Sequence, residues 1–464
     1  METVPVRADC AELSSSEAFL RAASLQNAGE FGEAESLLAN AISRDPANAD
    51  LRNARGIMFA AMGRHMDALW CYRDAAALNP NDPTIWTNLG NTLVHLKHLQ
   101  SAAACHRRAL ALAHKDDALL YHNLGTSLAE ASQHDEAVIA FSRVLEIDPS
   151  HHTARWDRAR SYLYLGNYKQ GFSDYEIRKI TGLPPKTLPG ESWEGQPYGG
   201  KRLLLAAEQG FGDTIWAARY LSRVKSLGGE LIVECAAELI PLLRCLNVAD
   251  RFVVRGDPLP EADYHCYFCS LPGHFTQDFR SIPSRPFLTA PMDRVRRLEE
   301  LLHIRPSHLK VGIVWSGSVT FTRNSERAQP LLKFFQAFAL PGIQLFSLQK
   351  GPPEKELSEL PRGGPIVDLS PHIHDFADTA AAITHLDLVI MTDSAVAHLA
   401  GSMGKPVWLL LGYVAHWLWL LDRSDSPWYP SARLFRPRGE GDWDYVFDTA
   451  SAALMSQVAS RAMR

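Results

Sequence analysis

Three short stretches of the 464-residue chain set chemically capable residues at the end of an apolar run. The first is Glu208-Gln209-Gly210-Phe211-Gly212-Asp213-Thr214. It follows the β-rich run Arg202–Ala206, so a strand, a tight glycine turn and a helix would bring Gln209, Gly210, Gly212 and one carboxylate to a cleft. Two glycines let a substrate approach the main chain closely. The spacing is neither G-x-G-x-x-G nor a P-loop, which argues against dinucleotide or Walker-type binding. Asp213 reads either as a general base or as a helix N-cap, a position that aspartate fills well.

In the second stretch an apolar run, Leu388 to Met391, passes into Thr392-Asp393-Ser394 and then a small-residue helix from Ala395. Unpaired amides at such a helix start suit a phosphate. Like charge would keep Asp393 off a pyrophosphate, so the phosphate contacts fall to Ser394 and the amide of Ala395. Asp393 is left to orient the turn or meet a sugar hydroxyl. His398 lies four residues after Ser394, on the same helical face. It is a further donor-site candidate, although a lone histidine there also serves as a structural residue. The third stretch is Trp315-Ser316-Gly317 with Asn324 and Arg327 in the loop beyond, and Gln349-Lys350-Gly351 ends the next strand in the same way. Arg327 or Lys350 would stabilise charge on a departing phosphate. The plainer alternative is a solvated surface cation.

Positioning these loops requires parallel sheets. From about residue 190, short β-rich runs alternate with helical stretches, the mark of α/β organisation. The strands expected are Arg202–Ala206, Leu231–Glu234, Phe252–Val254 and Cys266–Cys269, then Val311–Trp315, Gln344–Leu348, Leu388–Met391 and Val407–Leu411. Pro-rich sequence near 281–291 separates the two sets, giving Rossmann-like halves at 190–290 and 291–464. Two such halves place a ligand cleft at the carboxyl ends of their strands. Eight of the eleven tryptophans lie here, able to line a sugar cleft or to fill cores.

The first third is different. Ala22, Gly56, Gly90, Gly125 and Ala159 recur at steps of 34, 34, 35 and 34, and Ala34, Ala68, Ala102, Ala137 and Gly171 repeat the same steps. Pro46, Pro80 and Pro149 close three of the repeats, each after Asp or Asn, where proline stops a helix. The pattern predicts stacked helical hairpins over residues 15–180, about five repeats, with the extra residue in the Lys115-Asp116-Asp117 turn and a linker at Gly182-Leu183-Pro184-Pro185. Such solenoids offer a concave groove.

Composition excludes several classes. Lys and Arg total 47 against 52 Asp and Glu, net −5, so bulk charge does not point to nucleic acid or an anionic membrane. Seven cysteines at irregular spacing form no disulfide framework. Cys266 and Cys269 make a lone C-x-x-C without a second pair, and read as buried thiols in a reducing cytoplasm. The run Val407 to Leu421 is below the ~18 residues a spanning helix needs. A soluble cytoplasmic protein is expected.

The repeat Trp86-x-x-Leu89-Gly90-x-x-Leu93 resembles the tetratricopeptide pattern. Gly-Phe-Gly-Asp213 together with Asp393-Ser394-Ala395-x-x-His398 resembles glycosyltransferase family 9, the heptosyltransferase-like GT-B enzymes, over about residues 193–445. The likeness is closer still to bacterial chains joining tetratricopeptide repeats to such a domain. It implies an inverting, metal-independent and cofactor-independent transfer from a nucleotide sugar, with Asp213 as the base. Gln209, Gly210, Gly212, Trp315, Ser316, Arg327, Gln349, Lys350, Asp393, Ser394, Ala395 and His398 would form the donor site, closed by the C-terminal helix. Asn88 and Asn123, in register in adjacent repeats, match asparagines that hold peptide backbone in the related array of O-GlcNAc transferases; good repeat consensus is the other reading. The implied partner is a protein acceptor, flagellin in some chains of this architecture. One departure is His416-Trp417-Leu418-Trp419, where relatives carry Asp-Trp-Arg-Trp, which would change the sugar or mark a dead site.

Overall fold

In the N-terminal part, the first helix of four successive hairpins starts at a side chain that accepts from an otherwise free amide. A computed structural model describes residues 13–182, 187–302, 308–360 and 366–462. Ser14 and Glu17 form a reciprocal capping box at the start of α1 (Ser15–Asn27). Asn48, Asp82 and Asp117 cap the first helices of later hairpins. The array continues through α2 (Phe31–Arg44), α3 (Ala49–Ala61), α4 (His65–Leu78), α5 (Pro83–His95), α6 (Leu99–Leu112), α7 (Ala118–Glu130), α8 (His134–Ile147) and α9 (His152–Tyr164). Within three of the hairpins a glycine admits the ring of the partner helix: Gly56 faces Tyr72, Gly90 faces His106 and Gly125 faces Phe141, and an added Cβ would overlap each ring. The turn between α6 and α7 holds five residues, 113–117, where its counterparts hold four. That is where the 35-residue step arises.

The chain divides into two compact units, Met1–Tyr162 and Leu163–Arg464. This division falls within α9, ahead of the limit at residue 180 expected for the solenoid. Helix α10 (Tyr168–Tyr175) belongs to the second unit, because its Tyr168 and Phe172 sit among Trp216, Trp417 and Trp428. Of the expected linker, Leu183 to Pro185 lie outside the described residues; Gly182 ends α11 (Arg178–Thr181).

The second unit holds two parallel sheets. The first comprises β1 (Glu191–Ser192), β2 (Arg202–Ala206), β3 (Glu230–Cys235), β4 (Arg251–Val254) and β5 (Tyr264–Tyr267) in the order β1-β5-β2-β3-β4. The second comprises β6 (Leu309–Val314), β7 (Ile343–Ser347), β8 (Ile366–Asp368), β9 (Leu388–Thr392), β10 (Val407–Leu410) and β11 (Ala432–Phe435) in the order β11-β10-β9-β6-β7-β8. All pairings between them are parallel. The run read as Cys266–Cys269 begins two residues earlier and turns into a 3-10 helix at Phe268. Each sheet reverses strand order once, between β2 and β5 and between β6 and β9.

Candidate active site

Ligands of α/β folds gather where strand order reverses, outside the carboxyl ends of the strands. At the first reversal β2 passes through Glu208 into α12 (Phe211–Ala217), with Gly210 as the extended N-cap residue. Asp213 is thus the third residue of the helix and not its cap. Its Oδ2 accepts the Gly210 N–H at 3.1 Å. Burial, then the negative charge of Glu208, raise its pKa to about 6, with a smaller push from Asp393. A carboxylate tuned upward in this way is a stronger base than a free aspartate and is still ionised at neutral pH.

Glu208 had no role in the sequence reading beyond its place in the motif. Its Oε1 accepts from the Arg178 guanidinium at 3.0 Å and from Cys269 N–H at 3.2 Å, while its Oε2 is buried without a hydrogen-bond partner. Arg178, on α11, also meets Glu176 at 2.7 Å and Ser270 at 2.7 Å. These partners come from three separate segments, so no spacing rule links them.

At the second reversal Asp393 follows the end of β9, and Ser394 is the extended N-cap residue of the helix Ala395–Ser402. The Ser394 hydroxyl makes no capping bond and is buried without a partner. That leaves an oxygen and the first helical amides with no acceptor in their own helix. Asp393 is buried, its pKa raised by burial and pulled back by Arg327, whose Nη1 lies 3.9 Å away. Arg327 is held by Asn324 Oδ1 at 3.2 Å and lies 4.6 Å over the exposed ring of Phe321.

The two corners touch. A Cβ on Gly212 would lie 2.8 Å from His398 and 3.4 Å from the Ala395 Cα. Gly212 therefore serves close packing of helix on helix. His398 is buried, stacked on Trp419 at 5.3 Å, with Nδ1 3.0 Å from the Tyr429 hydroxyl. Burial pushes its pKa down to about 3, so it carries no charge toward a phosphate. The surrounding halves are tied by Trp216 against Trp428 and Trp417, and by Arg219, which donates to Trp428 O at 3.0 Å and lies over Tyr429.

The remaining expected donor residues each have partners within the fold. Trp315 is fully buried, its indole N–H donating to Glu356 at 3.1 Å. Gln349 is buried and its amide is fully committed: Oε1 accepts from Trp315 and Ser316 N–H, and Nε2 donates to Ser316 O and Lys350 O. It works as a strut between the ends of β6 and β7. The Ser316 hydroxyl accepts from Asn324 Nδ2 at 3.1 Å. Lys350 donates to Ser370 O at 3.0 Å and pairs with Glu354. Gln209 is half-buried, its carbonyl accepting from Arg255 at 3.1 Å. Six of the eight downstream tryptophans besides Trp315 are buried as well, so they fill cores and do not line a sugar cleft; Trp443 is half-buried. Among the described residues no group of three or more His, Cys, Asp or Glu is placed to hold a metal, and no helix is long and apolar enough to cross a membrane. Cys266 and Cys269 are buried free thiols, their pKa values raised by burial.

In the helical unit, Asn88 donates to Asn53 Oδ1 at 3.0 Å, so it is partly used within the array. Asn123 lines a pocket between α5 and α7. Family models described as tetratricopeptide repeat match residues 19–83 and 81–150. The helical unit is a tetratricopeptide-repeat array. Protein FlbA of Caulobacter vibrioides is 28% identical over 455 residues, covering 89% of this chain and 74% of FlbA. A protein of Hordeum vulgare named as a probable UDP-N-acetylglucosamine–peptide N-acetylglucosaminyltransferase SPINDLY is 23% identical over 158 residues, 33% of this chain and 17% of its own length. The crystal structure of YrrB, described as a TPR protein with an unusual peptide-binding site, aligns with 36% of this chain and 86% of its own at 22% identity and TM-score 0.34.

Proposed function

We propose that the chain is an inverting glycosyltransferase whose α/β unit is a GT-B domain of the family 9 type and whose repeats present a polypeptide acceptor. The observation that carries this reading is the meeting of the two corners: a carboxyl tuned to about 6 on α12, packed against a helix start that keeps an unpartnered hydroxyl and free amides. Asp213 takes the proton of an acceptor hydroxyl as its oxygen bonds to the anomeric carbon. The bond from that carbon to the phosphate oxygen breaks on the opposite face, and the nucleotide leaves with the electron pair. Ser394, the amide of Ala395 and the cation of Arg327 meet the developing negative charge, with the helix dipole adding to them.

The likeness to FlbA over most of the chain supports one shared architecture, and the name of the Hordeum vulgare protein supports a sugar nucleotide and a peptide acceptor as the substrates to try first. The test is a thermal-shift screen against UDP-, GDP-, ADP- and CMP-sugars, followed by transfer assays on polypeptides, flagellin among them, and on glycolipids. Donor at 100 times its Kd stabilises the fold by ~2.7 kcal/mol. A shift with one nucleotide class, reduced in Ser394→Ala, supports the reading and names the donor. A second reading, a scaffold that binds without turnover, is favoured by Leu418, a buried apolar residue where relatives carry arginine. Under it the donor shift is absent, or present without transfer.

A further inference from the structure

Each hairpin of the array places one side chain of its second helix across the glycine or small residue of its first. That position is filled by Leu38, Tyr72, His106 and Phe141, all buried. Packing across the glycine needs only an aromatic ring, as Tyr72 and Phe141 show. A histidine there carries two polar atoms into the core, a penalty unless they are hydrogen-bonded. Both are: Nδ1 lies 2.7 Å from Ser127 Oγ and Nε2 lies 3.2 Å from Asn91 Oδ1. The Ser127 hydroxyl also lies 3.1 Å from Asn123 O, but its one proton goes to His106 Nδ1 when the single N–H of a neutral ring is on Nε2 and donates to Asn91 Oδ1. Burial pushes the imidazole pKa down to about 4, so the ring is neutral.

The buried His106 and Ser127 line a pocket of about 190 Å³ between α5 and α7, with Asn91, Val94, His95, Asn123 and Thr126, whose hydroxyl is already donated to His122 O. No Asp, Glu, Lys or Arg lines it. The imidazole fixes Asn91 by its Oδ1 and leaves that amide's N–H groups unused, while the Asn123 carboxamide has no hydrogen-bond partner among the described residues. Two carboxamides of this kind offer paired donors and acceptors. A charged ligand group would be desolvated there without a counter-ion, and an apolar one would leave both amides unpaired. A hydroxyl meets only one of them fully.

We propose that this pocket is a socket for an uncharged carboxamide side chain, Asn or Gln, of the polypeptide in the groove, with His106 acting as the positioning residue for Asn91. The inference rests on the reading that the repeats hold a polypeptide. It is tested by incubating the full chain with a library of short peptides in which one position is fixed and the others are randomised. Fixed Gln or Asn should retain about tenfold more protein than fixed Glu, Lys or Leu, the gain of roughly one well-made hydrogen-bonded contact. His106→Phe keeps the packing that Phe141 already uses and should melt as a folded protein, yet lose the preference. Asn123→Ala, which leaves the core intact, should lose it too. Peptides retained without a carboxamide preference, or a preference that survives both variants, overturn the socket alone. Failure to retain any peptide overturns the groove reading with it.

Discussion

The corner after β2 and the corner after β9 are built alike, each an apolar strand, a turn with an aspartate, and a helix with small residues at its start. They treat the aspartate differently. Asp213 stands on the helix itself, half-buried, facing the negative charge of Glu208, and is pushed up to about 6. Asp393 stands before the helix, buried, with the Arg327 cation opposing its burial. Under the proposed function the first corner presents a proton acceptor. The second neutralises its carboxylate locally and leaves Ser394 and the helix amides open to an anion. One local plan thus yields two chemistries, and the difference lies in the neighbouring charge, Glu208 at one corner and Arg327 at the other.

If that division holds, Asp213→Asn should lower transfer by ~10²–10⁴-fold while nucleotide-sugar affinity stays within a few-fold, since it removes the base and leaves the anion site. Steady-state rates beside a donor titration check it, and equal losses in both would erase the distinction between the corners. Arg327→Ala should do the reverse. Loss of a charged contact to the donor phosphate is worth ~1.5–3 kcal/mol, roughly 10–100-fold in donor Kd. Calorimetric titration reads this directly, and an unchanged Kd would remove Arg327 from the donor site.

How far these corners were readable follows from the range of the interactions involved. Gly56, Gly90 and Gly125 recur because each packs against its own hairpin partner, so the array was legible as a period. Interior strands such as Arg202–Ala206 were legible as apolar runs. The three strands that escaped, β1, β8 and β11, are all sheet edges, short and without a long apolar run. At the candidate site, Asp213, Ser394 and Arg327 stand out in the sequence because each comes shortly after an apolar strand run. The bonds of Gln349 to Ser316 and of Trp315 to Glu356 were not legible, because those partners lie more than thirty residues away in the sequence. Glu208 was passed over for the same reason, since Arg178 reaches it from α11.

The contact between the corners can itself be strained. Gly212→Ala would drive a methyl to within 2.8 Å of His398, a side chain fixed by Trp419 and Tyr429. Overpacking of this kind costs about 1–3 kcal/mol. The Tm should fall by several degrees, and the transfer rate should fall with it as the base moves from the anion site. A variant that melts as wild type would mean the corners are free to part.

The smallest expected effect is also the one that best separates tuning from packing. Glu208→Gln keeps the shape and the acceptor for Arg178 and Cys269 but removes a negative charge. Asp213 owes part of its elevation to that charge, so its pKa should fall from about 6 toward the ordinary aspartate value. The acid limb of the pH–rate profile then moves to lower pH, and the rate above pH 7 drops only a few-fold because the base is weaker. Stability follows the same sign. With Asp213 raised, the folded state binds a proton that the unfolded chain has already released between about pH 4 and 6, so stability declines as pH rises through that window. Glu208→Gln should flatten this decline. A purely structural Glu208 would lower Tm at every pH and leave the acid limb where it was, whereas a shifted limb with a flattened stability curve assigns the base at the first corner to the pair Asp213 and Glu208.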